Sequence, residues 1–140
     1  MPPASPTART LATLRAMDYL AEKVEQRLPI PGRFVTRDFG GFGDILAAHP
    51  GRGILLVQAT SRPNVNARIN KITLADLPGK SPKHPAMRMN PVRLNVIRWL
   101  AAGGRAEVWG WYKKGSRWNY RRVLFFLPDG ALAWKDEEPT

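Results

Sequence analysis

The sequence of 140 residues contains no cysteine, which excludes disulfides and thiolate metal sites and fits a reducing cytoplasm, the expected location. Long apolar runs are missing as well. The longest, such as Ile54-Leu55-Leu56-Val57, fall far short of the ~20 residues of a membrane-spanning helix, so no membrane partner is expected. Residues 1–7 are rich in proline and small side chains and lack the apolar stretch of a signal peptide, so they read as a flexible tail. Histidine is nearly absent. His49 and His84 have no recognisable partner and read as loop residues.

Acidic residues are scarce where basic ones are dense. Lys and Arg number 22 against 11 acids, a net charge of +11. Residues 61–122 hold fourteen basic residues and only Asp76 and Glu107 as acids, while the last eighteen residues carry four acids and one Lys. A block of one sign is the electrostatic footprint of a polyphosphate partner, whereas a merely solubilising surface mixes both signs. Nucleic acid is therefore the expected partner, DNA ahead of RNA.

The apolar pattern predicts an α/β fold in a single domain over 8–135, with 136–140 as an acidic tail. Leu11, Leu14, Met17, Leu20 or Ala21, Val24 and Leu28 recur at helical spacing and predict an amphipathic helix over 8–28, capped by Thr7 or Thr10 and ended by Pro29. Strands follow over 33–38, 44–48 and 54–60, the last buried on both faces by its continuous apolar run. A helix is expected over 64–77, a basic proline-rich loop over 78–91, and a helix from Pro91 to the Gly103-Gly104 stop. An alternating strand over 105–112 and a closing hairpin around Pro128-Asp129-Gly130 complete the order.

Two strands carry the chemistry. Gly43-Asp44-Ile45-Leu46-Ala47 is followed by Leu56-Val57-Gln58-Ala59-Thr60-Ser61, an arrangement that can bring an acid and a strand-end polar residue to one point of a sheet. With the leading helix, the Arg-bearing strand and the late segment from Trp99 to Val108, this resembles the PD-(D/E)XK nuclease superfamily, and within it the archaeal-type Holliday junction resolvases. The resemblance spans roughly residues 10–112. It implies a restriction-endonuclease-like core, a mixed sheet flanked by helices in the order αβββαβ, and metal-dependent hydrolysis of DNA phosphodiesters, with branched or structured DNA as substrate. Asp44 would then be the metal-ligating aspartate and Gln58 would stand in the place of the second acidic ligand. Thr60 would occupy the place of the lysine, and Glu22, with Asp18 or Glu25 as alternatives, that of the helix-borne acid. One or two Mg²⁺ or Mn²⁺ ions are the implied cofactor.

This chain departs from that pattern. Gln58 brings no charge and Thr60 cannot supply a cation, so Lys71 on the following helix is the preferred replacement. Taken alone, an Asp after glycines is commonly a turn residue, and Glu22 reads as a solvated helix-face charge before it reads as a ligand. The residues expected to contact nucleic acid are Arg37, Arg62, Asn64, Arg68, Lys80, Lys83, Arg88, Lys113, Lys114, Arg117, Arg121 and Arg122. Trp109, Trp111, Trp118 and Tyr120 lie among the last of these. Some of these rings belong to the core, and any exposed one can stack on unpaired bases. A nuclease fold that binds DNA without cutting it is the main alternative, an RNA-binding module the second. A two-fold symmetric substrate would call for a homodimer.

Overall fold

The first helix stops far earlier than its apolar spacing predicts. Helix α1 (Pro6–Ala16) starts at Ser5, whose side chain accepts from the Ala8 N–H. It ends in a Schellman arrangement, with Tyr19 N–H bonded to Leu14 C=O (3.0 Å) and Asp18 N–H to Arg15 C=O (3.1 Å). Asp18 sits in the left-handed region at φ 66°, a conformation that Asp tolerates better than most residues. The chain then reverses into strand β1 (Leu20–Lys23) and the ribbon β2 (Gln26–Ile30) and β3 (Arg33–Arg37). Glu22 is therefore a strand residue and not a helix-borne acid. Thr10 is no cap but a buried linchpin, donating to Pro6 C=O and accepting from Trp111 Nε1, both at 2.8 Å.

The computed structural model describes residues 5–77 and 88–137. After the ribbon come β4 (Ile45–His49), β5 (Gly53–Ser61), a 3₁₀ turn at Arg62–Asn64 and α2 (Val65–Thr73). They are followed by β6 (Asp76–Leu77), β7 (Arg88–Met89), α3 (Pro91–Ala101), β8 (Arg105–Lys114), β9 (Arg117–Phe126) and β10 (Ala133–Glu137). The architecture is α/β. A six-stranded mixed sheet runs in the order β1-β4-β5-β8-β9-β10, and β2-β3 and β6-β7 form separate two-stranded ribbons. Only β5 and β8 pair in parallel, joined by the crossover through α2 and α3; the other sheet neighbours are antiparallel. The strand expected over 33–38 does form, but it pairs with β2 outside the main sheet, and β1 takes the sheet edge instead. The closing hairpin is as expected, except that Asp136 and Glu137 belong to β10 and not to an acidic tail.

Alternation along β5 explains the two cores. Leu55 and Val57 pack with Ile45, Ala47 and Trp109 beneath α1. Leu56 points the other way, against Val65, Ile69 and Ile72 of α2 and Val96 of α3. Glycine is required where elements approach most closely: a Cβ on Gly43 would overlap the Leu56 side chain, and one on Gly110 would overlap Val65 of α2. The α1-side core also holds a buried charge. Glu107 is 1% exposed and accepts from Arg122 Nε (2.6 Å), Arg105 Nη2 (2.9 Å) and Trp109 Nε1 (2.9 Å). Removing both arginines would strand a buried charge, at a cost of about 3–5 kcal/mol.

Candidate active site

The antiparallel ladder of β4 and β5 ends at Ile45↔Val57, and Asp44 lies just beyond it, held against Val57 and Ala59 of β5. Asp44 N–H donates to Val57 C=O at 2.9 Å, and Asp44 Oδ1 accepts from Ala59 N–H at 3.1 Å. Val24 N–H donates to Asp44 C=O at 2.9 Å, which delivers the neighbouring Glu25 to the same end of the sheet. The other acid comes from the loop after β3. There Gly40 and Gly41 take positive φ and Phe39 bridges to Gly43, so that Asp38 Oδ2 accepts from Gln58 Nε2 at 3.2 Å. Asn95 of α3 holds this loop by donating to Gly40 C=O at 3.0 Å.

These residues line a cavity of about 560 Å³, together with Arg37, Arg68 and Lys71. Asp44 is 4% exposed; burial, reinforced by the charges of Asp38 and Glu25, pushes its carboxyl up to about 7. Gln58 is equally buried, and its Oε1 has no hydrogen-bond partner among the described residues. Because Asp38 can only accept, it holds the amide with Nε2 toward itself and leaves Oε1 as the orphan. A buried acceptor without a donor beside a carboxylate short of positive charge is a donor set suited to a hard divalent cation. No group of three or more His, Cys, Asp or Glu among the described residues is assembled as a metal cluster. Mg²⁺, which keeps several waters and is commonly held by one or two carboxylates with substrate phosphate, does not require one. Asp44 and Gln58 Oε1 fit as its protein ligands.

The remaining expected residues divide. Arg37, Arg68 and Lys71 line the cavity, with Lys71 reaching it from α2. Thr60 is buried and is not among the residues lining it. Glu22 is exposed and lies 3.8 Å from Arg15; of the three acids considered for the third position, Glu25 is the one at the cavity. Arg62 lies over the Tyr112 ring at 4.5 Å, and Asn64 donates to Ser61 Oγ. Arg121 is paired with Asp136 and Arg122 with the buried Glu107, so both serve the β8-β9-β10 sheet. Trp109 and Trp111 are core, while Trp118 is exposed. Lys113, Lys114 and Arg117 are exposed at the β8–β9 turn. Arg88 lies on β7, and Lys80, Lys83 and His84 lie outside the described residues. His49 closes the β4–β5 turn, its Nδ1 accepting from Gly51 N–H at 3.0 Å. Asp38 was missed in the sequence; an acid at a strand end immediately before Phe39-Gly40-Gly41 is the signal that could have found it.

Comparison with known proteins returns no matching family model, no matching curated protein and no matching solved structure. No helix among the described residues is long and apolar enough to cross a membrane.

Proposed function

We propose that this chain is a metal-dependent DNA endonuclease of PD-(D/E)XK type. The observation that carries the reading is that the buried Asp44 and Gln58, whose Oε1 has no hydrogen-bond partner among the described residues, line one cavity rimmed by Arg37, Arg68 and Lys71. Element order is compatible with it: with the β2–β3 and β6–β7 ribbons and the second crossover helix α3 set aside, α1-β1-β4-β5-α2-β8 runs helix–strand–strand–strand–helix–strand. Position is compatible as well: Gln58 and Ala59, in the carboxyl-terminal half of β5, line the cavity.

A Mg²⁺ or Mn²⁺ ion held by Asp44 and Gln58 Oε1 would acidify water for attack and offset charge at the phosphate. The protein supplies the rest. Asp38 holds the Gln58 amide by its Nε2 and leaves Oε1 as the oxygen a cation would take. Lys71 takes the cationic role that Thr60 cannot, and with Arg68 and Arg37 it draws the phosphodiester into the cavity and opposes the growing charge of the transition state. Branched DNA remains the favoured substrate class within this reading.

The test is cleavage of labelled linear, flapped and four-way-junction DNA with Mg²⁺ or Mn²⁺. Wild type is expected to cut, Asp44→Asn to lose cutting while retaining binding, and Lys71→Ala to cut at least tenfold more slowly. Cutting that persists in Asp44→Asn would overturn the assignment. Tight, salt-sensitive binding without cutting by wild type would establish the second reading, a DNA-binding module on a nuclease-like fold, which the burial of Thr60 in place of a lysine favours.

A further inference from the structure

Strand β8 runs past the sheet that supports it. Its pairing with β5 ends at Ser61↔Trp111, whereas its pairing with β9 continues to Lys114↔Arg117. Residues 113–119 are all exposed, so the β8–β9 turn is a two-stranded projection beyond the core. It points from the same end of the sheet as the Asp44 cavity, since β5 and β8 are parallel and the cavity residues Asp44 and Gln58 lie toward the carboxyl end of β5. Its charge is of one sign. Lys113, Lys114 and Arg117 sit on it, and the only acid between residues 88 and 122 is Glu107, buried under Arg105 and Arg122.

The projection is braced and not loose. Arg9 of α1 lies over the Trp118 ring at 3.6 Å, and Thr7, two residues earlier on α1, lines the cavity. Arg62 on Tyr112 braces its other side. Distance follows from register. Gln58 pairs with Val108, and Lys113 and Lys114 lie five and six residues further along β8, about 17–20 Å at ~3.3 Å per residue. That is the length of about five or six base pairs of duplex at ~3.4 Å each.

We infer that the β8–β9 projection is an arm that grips the phosphate backbone of duplex DNA five to six base pairs to one side of the phosphate held in the Asp44 cavity. This rests on the nuclease reading for its reference point, the scissile phosphate. The arm reads charge and shape, with Lys113, Lys114 and Arg117 as point cations and the half-exposed Trp118 ring covering sugar and aliphatic surface. It makes the footprint asymmetric about the cut.

The deciding experiment compares wild type with a K113A/K114A/R117A triple variant, all three sites being exposed, with thermal melts confirming that both are folded. Binding of a 30-base-pair duplex is measured from 50 to 300 mM salt in Ca²⁺. Three lost phosphate contacts are expected to lower the slope of log K against log[salt] by about 2–3. Cleavage is then measured on whichever of the linear, flapped or junction substrates wild type cuts, with the duplex trimmed toward the cut from each side. Wild type is expected to lose at least tenfold in rate once fewer than about five base pairs remain on one side only, and the triple variant to be indifferent to that trimming. Cleavage with an unchanged salt slope would overturn the arm and leave the nuclease standing. An arm-dependent slope without any cleavage would do the reverse, removing the nuclease while keeping the projection as a DNA contact. Trimming effects equal on both sides would overturn the one-sided placement.

Discussion

Asp44 is a carboxyl that the fold has taken out of water without giving it a cation, and this has a thermodynamic sign. Its folded-state value near 7 lies above the ordinary 3.8, so the unfolded chain releases the proton first. Stability therefore falls as pH rises from about 4 to about 7 and levels off above that. Asp44→Asn keeps an acceptor for Ala59 N–H and removes the charge. In chelator, the variant is expected to be more stable than wild type by on the order of 2–4 kcal/mol at pH 8 and nearly equal to it at pH 4. Urea melts at the two pH values measure this, and a gap of equal size at both would show that Asp44 is not held neutral by burial. The same carboxyl is therefore costly to the empty fold and useful to a site that binds a cation. At this scale much was legible: Asp44 and Gln58 stand on consecutive strands joined by a short turn, and adjacency in the sheet follows directly. The choice among Asp18, Glu22 and Glu25 was not legible, because it depends on where α1 ends.

That ending belongs to the element scale. Leu20 or Ala21, Val24 and Leu28 fit a helical stripe by spacing, yet Leu20 is 70% exposed and Ala21 is buried, which is the alternation of a strand edge. Spacing over so few residues satisfies either period, and the stop was hidden because the left-handed residue after α1 is Asp18 and not the usual glycine. The docking of α2 shows the opposite case, a glycine whose purpose only the fold reveals. Gly110 lets Val65 and the Arg62 backbone lie directly on β8, and this seat places Arg68 and Lys71 at the cavity. Gly110→Ala is expected to cost about 1–3 kcal/mol by forcing that contact apart. A purified Gly110→Ala protein with an unchanged urea midpoint would mean that α2 has room to give, and its seating would then not be what sets the position of Lys71.

At the scale of the whole molecule, a net charge of +11 must be carried by a fold whose described residues show few exposed ion pairs, among them Arg121–Asp136 and Arg15–Glu22. Self-repulsion of this kind is screened by salt. Raising NaCl from 50 to 300 mM is expected to add on the order of 1 kcal/mol, about 3 °C in Tm for a domain of this size, in the absence of DNA. A Tm that falls with salt would show that the few ion pairs outweigh the repulsion.

The sequence by itself determined the fold class. Periodicity and turn residues are local properties, so the α/β class, the β5 core strand and the closing hairpin could be read from the chain, while the one-sided charge carries the expectation of a polyanionic partner. Tertiary structure alone decided which groups meet. Asp38 and Glu25 reach Asp44 only because the β2–β3 ribbon folds out of the sheet. Trp109 and Trp111 are core while Trp118 is exposed, because β8 outruns β5. Arg122 belongs to Glu107, and Lys71 rather than Thr60 faces the cavity. Each of these depends on register and on the docking of segments distant in sequence, where packing of the two cores, and not local preference, sets the lowest free energy.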